Sequence, residues 1–483
     1  MSPPAAPTPL PPGFHLELDG SVRTFAGGTV LAGGHPGRIL RLAAEGPAAL
    51  AALTGDGPLT PAQRRLGRRL VEVGMAHPVP PTEEPVDPGR VTVVIPARDR
   101  SQWLDACLAS LDPRTSAVVV DDGSTDPGSV AEVCGRHRAR LVVRPVNGGP
   151  AAARNQGLEA VDSELVAFLD SDCVAHPGWL DPLVRMFDDP GVGAAAPRVR
   201  PLGSSGSARD RFNRGRSPLD MGPEPGPVGP DRRVRYVPTA ALVVRRRALV
   251  AGFDAGLRFG EDVDLVWSMV DAGWQVRYLP SVQVGHRSPP SWAGLLRRRF
   301  DYGTSAGPLA RRHPGRLAPV ELWPWPAVAA FALLAGRTRT SALVTVLYGL
   351  DLARRVRSTG IPPRLALRWS AAGTGWTLFG LGRAATVVVS PGLALGALGA
   401  LGGGRRGRRL RRAAVTLALV PPLVEWWQRR PELDPVRWSL ASIADDVAYG
   451  LGVWAGSIRA RTVGPLLPSL RWRGADADRV GDP

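Results

Sequence analysis

Between residues 91 and 172 the apolar positions come in short, nearly continuous runs rather than in alternation. "VTVVIPARD", "AVVVDDG", "ARLVVR" and "LVAFLDSD" are rich in β-branched residues, and each stops at a charged or turn-forming residue. That is the pattern of strands buried on both faces. Helical segments begin between them, near Ser101, Gly128 and Pro150. Strand alternating with helix predicts an α/β domain around a Rossmann-like, mostly parallel sheet. The chain ahead of it reads differently. After a Pro-rich tail, the strand-like pieces "FHLELDG" and "RTFAGG" give way to helical patterns around Gly37 to Leu53 and Thr60 to Met75, and "HPVPPTEEPVDPGR" reads as a linker. From Pro308 onward Arg, Trp, Ala, Leu and Gly dominate. The expected organisation has three parts: an N-terminal module over 1–88, an α/β domain over 89–307, and a mostly α-helical, apolar, Arg-rich region over 308–483.

Composition changes this picture little. With 483 residues, 44% of them hydrophobic, the chain is long enough to bury sizeable cores. A formal net charge of +17 would ordinarily point to nucleic acid or anionic lipid. Every one of the 60 basic residues is Arg, however, and Ala, Gly and Pro are abundant, which is a bias of composition rather than a binding patch. No helix-turn-helix, zinc-finger or aromatic RNA-binding signature accompanies the charge, so nucleic acid is not expected as a partner. Cys107, Cys134 and Cys173 are too scattered for a zinc site and fit a reducing compartment. The N-terminus lacks a basic segment followed by an apolar run, so a cytoplasmic protein is expected.

Candidate chemistry gathers where the strands end. Asp121 and Asp122 close one run and Asp170 and Asp172 another, as "FLDSD". Carboxylates at the carboxyl edge of a buried sheet are costly unless they bind something, and ligands of open α/β sheets sit at that edge. On an extended backbone Asp170 and Asp172 point the same way, so the pair suits a hard divalent cation, Mg²⁺ or Mn²⁺. No G-x-G-x-x-G follows the first strand, which speaks against a dinucleotide.

From "VVIPARDR" through "VVVDDGSTD", "NGGPAAARNQG", "FLDSD" and "GFDAGLRFGEDVDLVWSMVDAGWQVRYLPSVQVGH", the stretch Val93 to His286 resembles the family-2 glycosyltransferases. That resemblance implies the GT-A nucleotide-sugar fold. It also implies that Pro96, Ala97, Arg98, Asp121, Arg154 and Asp170 bind a UDP-sugar, and that Asp172, Asp170 and His286 hold the metal. In "FGEDVDLVWSM", Asp262 is the candidate base for an inverting transfer and Glu261 its alternate, both at the start of an amphipathic helix whose dipole favours carboxylates. The Gln-x-x-Arg-Trp motif of the family's processive members is missing from "SWAGLLRRRFDYG".

The order of elements in the first region resembles the small winged-helix modules that recognise peptides for enzymes modifying ribosomally made peptides. The layout as a whole resembles the glycosyltransferases of the mycofactocin system. It would imply transfer of glucose from UDP-glucose to a peptide-derived redox cofactor; the alternative acceptor is a lipid-linked or polysaccharide intermediate of the cell envelope. The uncharged run Ala384 to Gly404 is long enough to span a bilayer but is broken by Pro391 and many glycines, and "RRGRRLRR" follows it. Association with the inner, anionic face of the cell membrane is expected from that pairing.

Overall fold

Seven short elements precede the Val-rich runs: β1 (His15–Leu18), β2 (Arg23–Phe25), β3 (Val30–Gly33), β4 (Arg38–Arg41), α1 (Gly46–Leu53), α2 (Pro61–Glu72) and β5 (Ala76–Val79). The computed structural model describes residues 8–82, 86–203, 206–249, 251–389 and 404–471. β2, β3 and β4 form an antiparallel sheet, and β1 pairs with β5. Pro61 opens α2 behind a capping box in which the Thr60 hydroxyl accepts from the Gln63 N–H and the Gln63 side chain accepts from the Thr60 N–H. Leu16, Leu31, Leu53, Leu70 and Met75 make the small core under these elements. The helix expected from Gly37 starts only at Gly46, because Arg38–Arg41 pairs with β3. Four residues of strand spacing were too few to stand out against the helix formers behind them.

The α/β region follows its sequence closely. β6 (Val91–Ala97), α3 (Ser101–Ala109), β7 (Ser116–Asp122), α4 (Pro127–Arg136), β8 (Arg140–Arg144), α5 (Pro150–Glu159) and β9 (Leu165–Leu169) alternate as expected. Then come β10 (Cys173–Ala175), α6 (Leu180–Arg185), β11 (Val192–Leu202), α7 (Ala208–Arg216), β12 (Gly226–Pro227), β13 (Ala241–Arg245), α8 (Glu261–Asp271) and β14 (Gln275–Arg287). The sheet runs β10-β14-β11-β13-β9-β6-β7-β8, with β12 on β14. Strands β9, β6, β7 and β8 are mutually parallel, while β13 runs against both β9 and β11 and β10 runs against β14. Register aligns Ala97 with Asp121 and Asp121 with Val143, so neighbouring strands deliver their last residues to one carboxyl edge. Gly157 sets how closely α5 lies on that sheet. A Cβ there would stand 2.2 Å from Val94 Cγ1, so only glycine lets α5 carry Arg154 and Asn155 this near the strand ends.

The N-terminal module is bound to this region by ion pairs rather than held off by its linker. Arg68 pairs with Asp189 at 2.8 Å, both buried, and Arg233 reaches Asp19 at 2.9 Å. Arg232 donates to the Glu72 carbonyl at 2.7 Å, and Arg185 to the Pro81 carbonyl at 3.1 Å. Asp19 also faces His77, 3.2 Å away; burial first, then the Arg277 charge, pushes that imidazole down to about 4. Met1–Ser288 therefore forms one unit.

The second unit, Pro289–Pro483, is helical: α9 (Trp292–Thr304), α10 (Ala306–Arg312), α11 (Pro324–Leu334), α12 (Thr338–Arg355), α13 (Pro363–Val388), α14 (Arg405–Arg429) and α15 (Pro435–Ala460), with β15 (Glu321–Leu322) pairing β16 (Ser469–Leu470). By their contacts the two units divide after Ser288, and within the second α9 packs along α15. A Cβ on Gly303 would lie 2.2 Å from the Tyr449 carbonyl oxygen, and Arg299 pairs with Asp445 at 2.7 Å. Among the described residues no helix is long and apolar enough to cross a membrane. Most of the apolar run Ala384 to Gly404, residues 390–403, lies outside the described residues. "RRGRRLRR" opens α14.

Candidate active site

The two aspartates that end β7 do different work. Asp122 organises the loop ahead of α5: its Oδ1 accepts from Arg144 Nε and the Gly148 N–H, both at 2.9 Å, and its Oδ2 from the Gly149 N–H at 2.7 Å. Asp121 is fully buried, and its Oδ1 accepts from the N–H and hydroxyl of Ser124. Its Oδ2 is buried without a hydrogen-bond partner among the described residues. An unmatched buried acceptor is unfavourable by roughly 1–3 kcal/mol, so this oxygen is ready for a donor from a ligand. Pro96 and Ala97 end the neighbouring strand in register with Val120 and Asp121. Arg98 is half-exposed, 3.8 Å from the Asp99 carboxylate.

Asp99 escaped the sequence reading. It and Arg100 adopt left-handed backbone angles, φ of 55° and 53°. Asp99 Oδ1 accepts from the Thr125 N–H at 2.7 Å, which holds its carboxyl below the usual range, and its own N–H donates to Ser124 Oγ at 2.7 Å. The loops after β6 and β7 are thereby tied together beside Asp121. Strained non-glycine backbone of this kind persists where the surroundings over-determine it.

Arg154 is held between two carboxylates. Its side chain is buried, with Nη2 donating to Asp170 at 2.7 Å and Nη1 to Glu261 at 2.9 Å, and its guanidinium lies 5.5 Å from the centre of the Phe253 ring. Burial opposes its charge, but the two carboxylates outweigh burial and raise its affinity for the proton. It therefore bridges the end of β9 and the start of α8. Next to it, Asn155 accepts from the Phe253 N–H at 2.8 Å and donates to the Phe253 carbonyl at 2.7 Å, fixing the loop that leads into α8. Neither role has a local sequence signal, since Glu261 lies 107 residues from Arg154 and Phe253 lies 98 from Asn155.

The three expected metal ligands are only partly gathered. Strand β9 stops at Leu169, so Asp170 and Asp172 lie in a tight turn, closed by the Cys173 N–H on the Asp170 carbonyl at 2.9 Å, and not on the extended backbone that the sequence suggested. Pairing of β10 with β14 sets Cys173 opposite His286 and brings His286 Nε2 to 3.3 Å from Asp172 Oδ1. Asp170 is drawn to Arg154 instead, and among the described residues no group of three His, Cys, Asp or Glu closes as a metal cluster. Cys107 and Cys173 are buried free thiols near this turn, and burial pushes both up.

Asp262 stands partly buried at the start of α8, behind Gly260. Burial and the adjacent Glu261 carboxylate push it up to about 7, against the weaker effects of the Val263 N–H and Arg154. Glu261 is occupied by Arg154, so of the two acids Asp262 is the one disposed to take a proton near neutrality.

The profile of Glycosyl transferase family 2 matches residues 92–243. The chain is 37% identical over 483 residues to the Pre-mycofactocin glycosyltransferase of Mycobacterium tuberculosis, covering 96% of this chain and 99% of that protein. Glycosyltransferase AglE of Haloferax volcanii is 26% identical over 227 residues, which are 44% of this chain and 71% of the relative. Among solved structures, a mannosyltransferase from Pyrobaculum calidifontis in complex with GDP-Man and Mn²⁺ aligns at 21% identity with a TM-score of 0.37, over 71% of this chain and 90% of that one.

Proposed function

The chain belongs to glycosyl transferase family 2, and from that premise we propose that it transfers a hexose, glucose, from a UDP-sugar to the mycofactocin precursor, with inversion at the anomeric carbon. Similarity along almost the whole of the Pre-mycofactocin glycosyltransferase supports this acceptor. The observation that carries the donor site is Asp121 Oδ2, a buried acceptor oxygen without a partner at the carboxyl edge, suited to the imide N–H of uracil. Pro96 and Ala97 wall the base, and Arg154, by fixing Asp170 and Glu261, sets the distance between the donor site and α8.

Asp262 accepts the hydroxyl proton of the acceptor as its oxygen attacks the anomeric carbon and the bond to the nucleoside diphosphate breaks. Asp172 and His286, with Asp170 from the other end of the same turn, are a carboxylate and imidazole set that would hold Mg²⁺ or Mn²⁺. Such a cation neutralises charge on the departing diphosphate.

Full-length protein incubated with a panel of nucleotide sugars and Mn²⁺ should release nucleoside diphosphate from UDP-glucose alone. Asp172→Ala, or EDTA, should abolish release. Release from a GDP- or dTDP-sugar instead would overturn the donor assignment. A second reading, a lipid-linked envelope acceptor, is favoured by the exposed apolar helices of the second unit. Product formed on a polyprenyl-linked sugar but not on the peptide-derived precursor would establish it.

A further inference from the structure

Three helices of the second unit, α11, α12 and α15, turn most of their large apolar side chains outward, with Trp438 and Val453 of α15 the buried exceptions. On α15, Ser439, Ser442, Asp445 and Asp446 are buried, whereas Leu440, Leu451, Trp454 and Ile458 are exposed. At 100° per residue those four apolar positions fall within an arc of about 60°. On α12, Leu343, Val346, Leu347 and Leu350 are exposed within an arc of about 100°, while Ser341 and Gly349 are buried and the Thr345 carbonyl accepts from Ser370 of α13 at 2.7 Å. On α11 the alanines at 327, 329 and 330 face inward and Trp325, Val328 and Phe331 face outward. Charge is kept inside and paired: Asp445 with Arg299, Asp446 and Glu425 with Arg383.

A water-soluble bundle arranges the same residues the other way round. Small residues, hydroxyls and ion pairs inside with large apolar side chains outside is the arrangement of helices that face lipid. Among the described residues, however, no helix is both long and apolar enough to cross a bilayer. The uncharged centre of α13, Trp369 to Gly382 between Arg368 and Arg383, spans ~21 Å at ~1.5 Å per residue, short of the ~30 Å hydrocarbon thickness. Exposed arginines mark the ends of the apolar arcs: Arg337 and Arg339 before the α12 arc, Arg354 and Arg357 after it, and Arg411 and Arg412 early in α14. A second copy of the chain would bring like charges face to face, whereas anionic headgroups match them.

We infer that the second unit seats in a single anionic lipid leaflet through the outward apolar faces of α11, α12 and α15, with its arginines at headgroup level and no helix spanning. The test is flotation of the detergent-purified full chain with vesicles of phosphatidylglycerol and phosphatidylethanolamine, against vesicles of phosphatidylcholine. The protein should float with the anionic vesicles and less with the neutral ones, the difference shrinking in high salt. Replacing Leu343, Val346, Leu347 and Leu350 together by serine should lower partitioning at least ~10-fold, with unchanged circular dichroism. Arg409→Gln, Arg411→Gln and Arg412→Gln should each weaken anionic binding by about fivefold and leave neutral binding alone. Protein that stays at the bottom of the gradient with both compositions overturns the inference. So does a detergent-free dimer that the serine variant dissociates without any change in flotation, which would assign the face to a second copy.

Discussion

The two compact units both bury charge, but for different ends. In the first, Arg154 is buried between Glu261 and the half-buried Asp170 at the carboxyl edge of an apolar sheet, and it ties down the start of the helix that carries Asp262. In the second, Asp445 and Asp446 are buried among hydroxyls and glycines while leucines and tryptophans face out, and their pairing holds helices together. A buried ion pair thus takes its meaning from what surrounds it. Against an apolar sheet it marks a site; inside an inverted bundle it is the glue.

Substitutions can break or sharpen that contrast. The largest effect is expected from Asp262→Asn, which should lower kcat by ~10²- to 10⁴-fold while donor affinity, read by calorimetry, stays unchanged, because the carboxylate acts only as the acceptor attacks. Lost donor binding would make Asp262 a structural residue. Next, Arg154→Met leaves two carboxylates without their shared cation and should destabilise the first unit by about 3–5 kcal/mol, seen as an earlier unfolding transition together with lost turnover. Its counterpart Asp445→Asn should destabilise the second unit by ~3 kcal/mol and leave donor hydrolysis intact below the transition. If both variants lose activity equally, the contrast between site and glue fails.

A smaller effect concerns pH. In the proposed role Asp262 must be ionised to accept a proton, and burial beside Glu261 pushes it up to about 7. On the acid side kcat/KM should therefore fall by ~10-fold per pH unit below about 7 and level off above it. Glu261→Gln, by removing the neighbouring carboxylate, should shift that limb to lower pH. A limb that does not move would mean the Glu261 charge is not felt at Asp262. The smallest effect is expected at Leu440. Leu440→Gln on the outward face of α15 should change stability in detergent by less than ~0.5 kcal/mol, where a polar residue at buried Leu165 of β9 should unfold the sheet.

How legible each part was follows from the range of the interactions involved. Strands β6, β7, β8 and β9 declared themselves because both faces of a parallel strand are buried and the apolar run is unbroken. Asp121, Asp170, Asp172, Asp262 and His286 stood out as candidates because each sits at or just past the end of a strand, or at the start of a helix, where the pattern changes. Strand β4 was hidden by its length. The Arg154 bridge could not be read at all, since Asp170 and Glu261 meet only through the fold. The sequence showed only that the region after Pro308 is apolar and Arg-rich, because which face of α12 or α15 turns outward is decided by packing between helices.

The Arg68–Asp189 pair reaches beyond stability into modularity. Recombination at the proline-rich stretch near residue 80 would look harmless on a map of the gene, yet it would carry Arg68 away and strip buried Asp189 of its nearest counter-charge. Neither half can be exchanged for a homologue that lacks the matching residue. A chimera between relatives should therefore keep the first eighty residues together with the α/β region, and a junction near residue 80 should cost stability unless both members of the pair are matched.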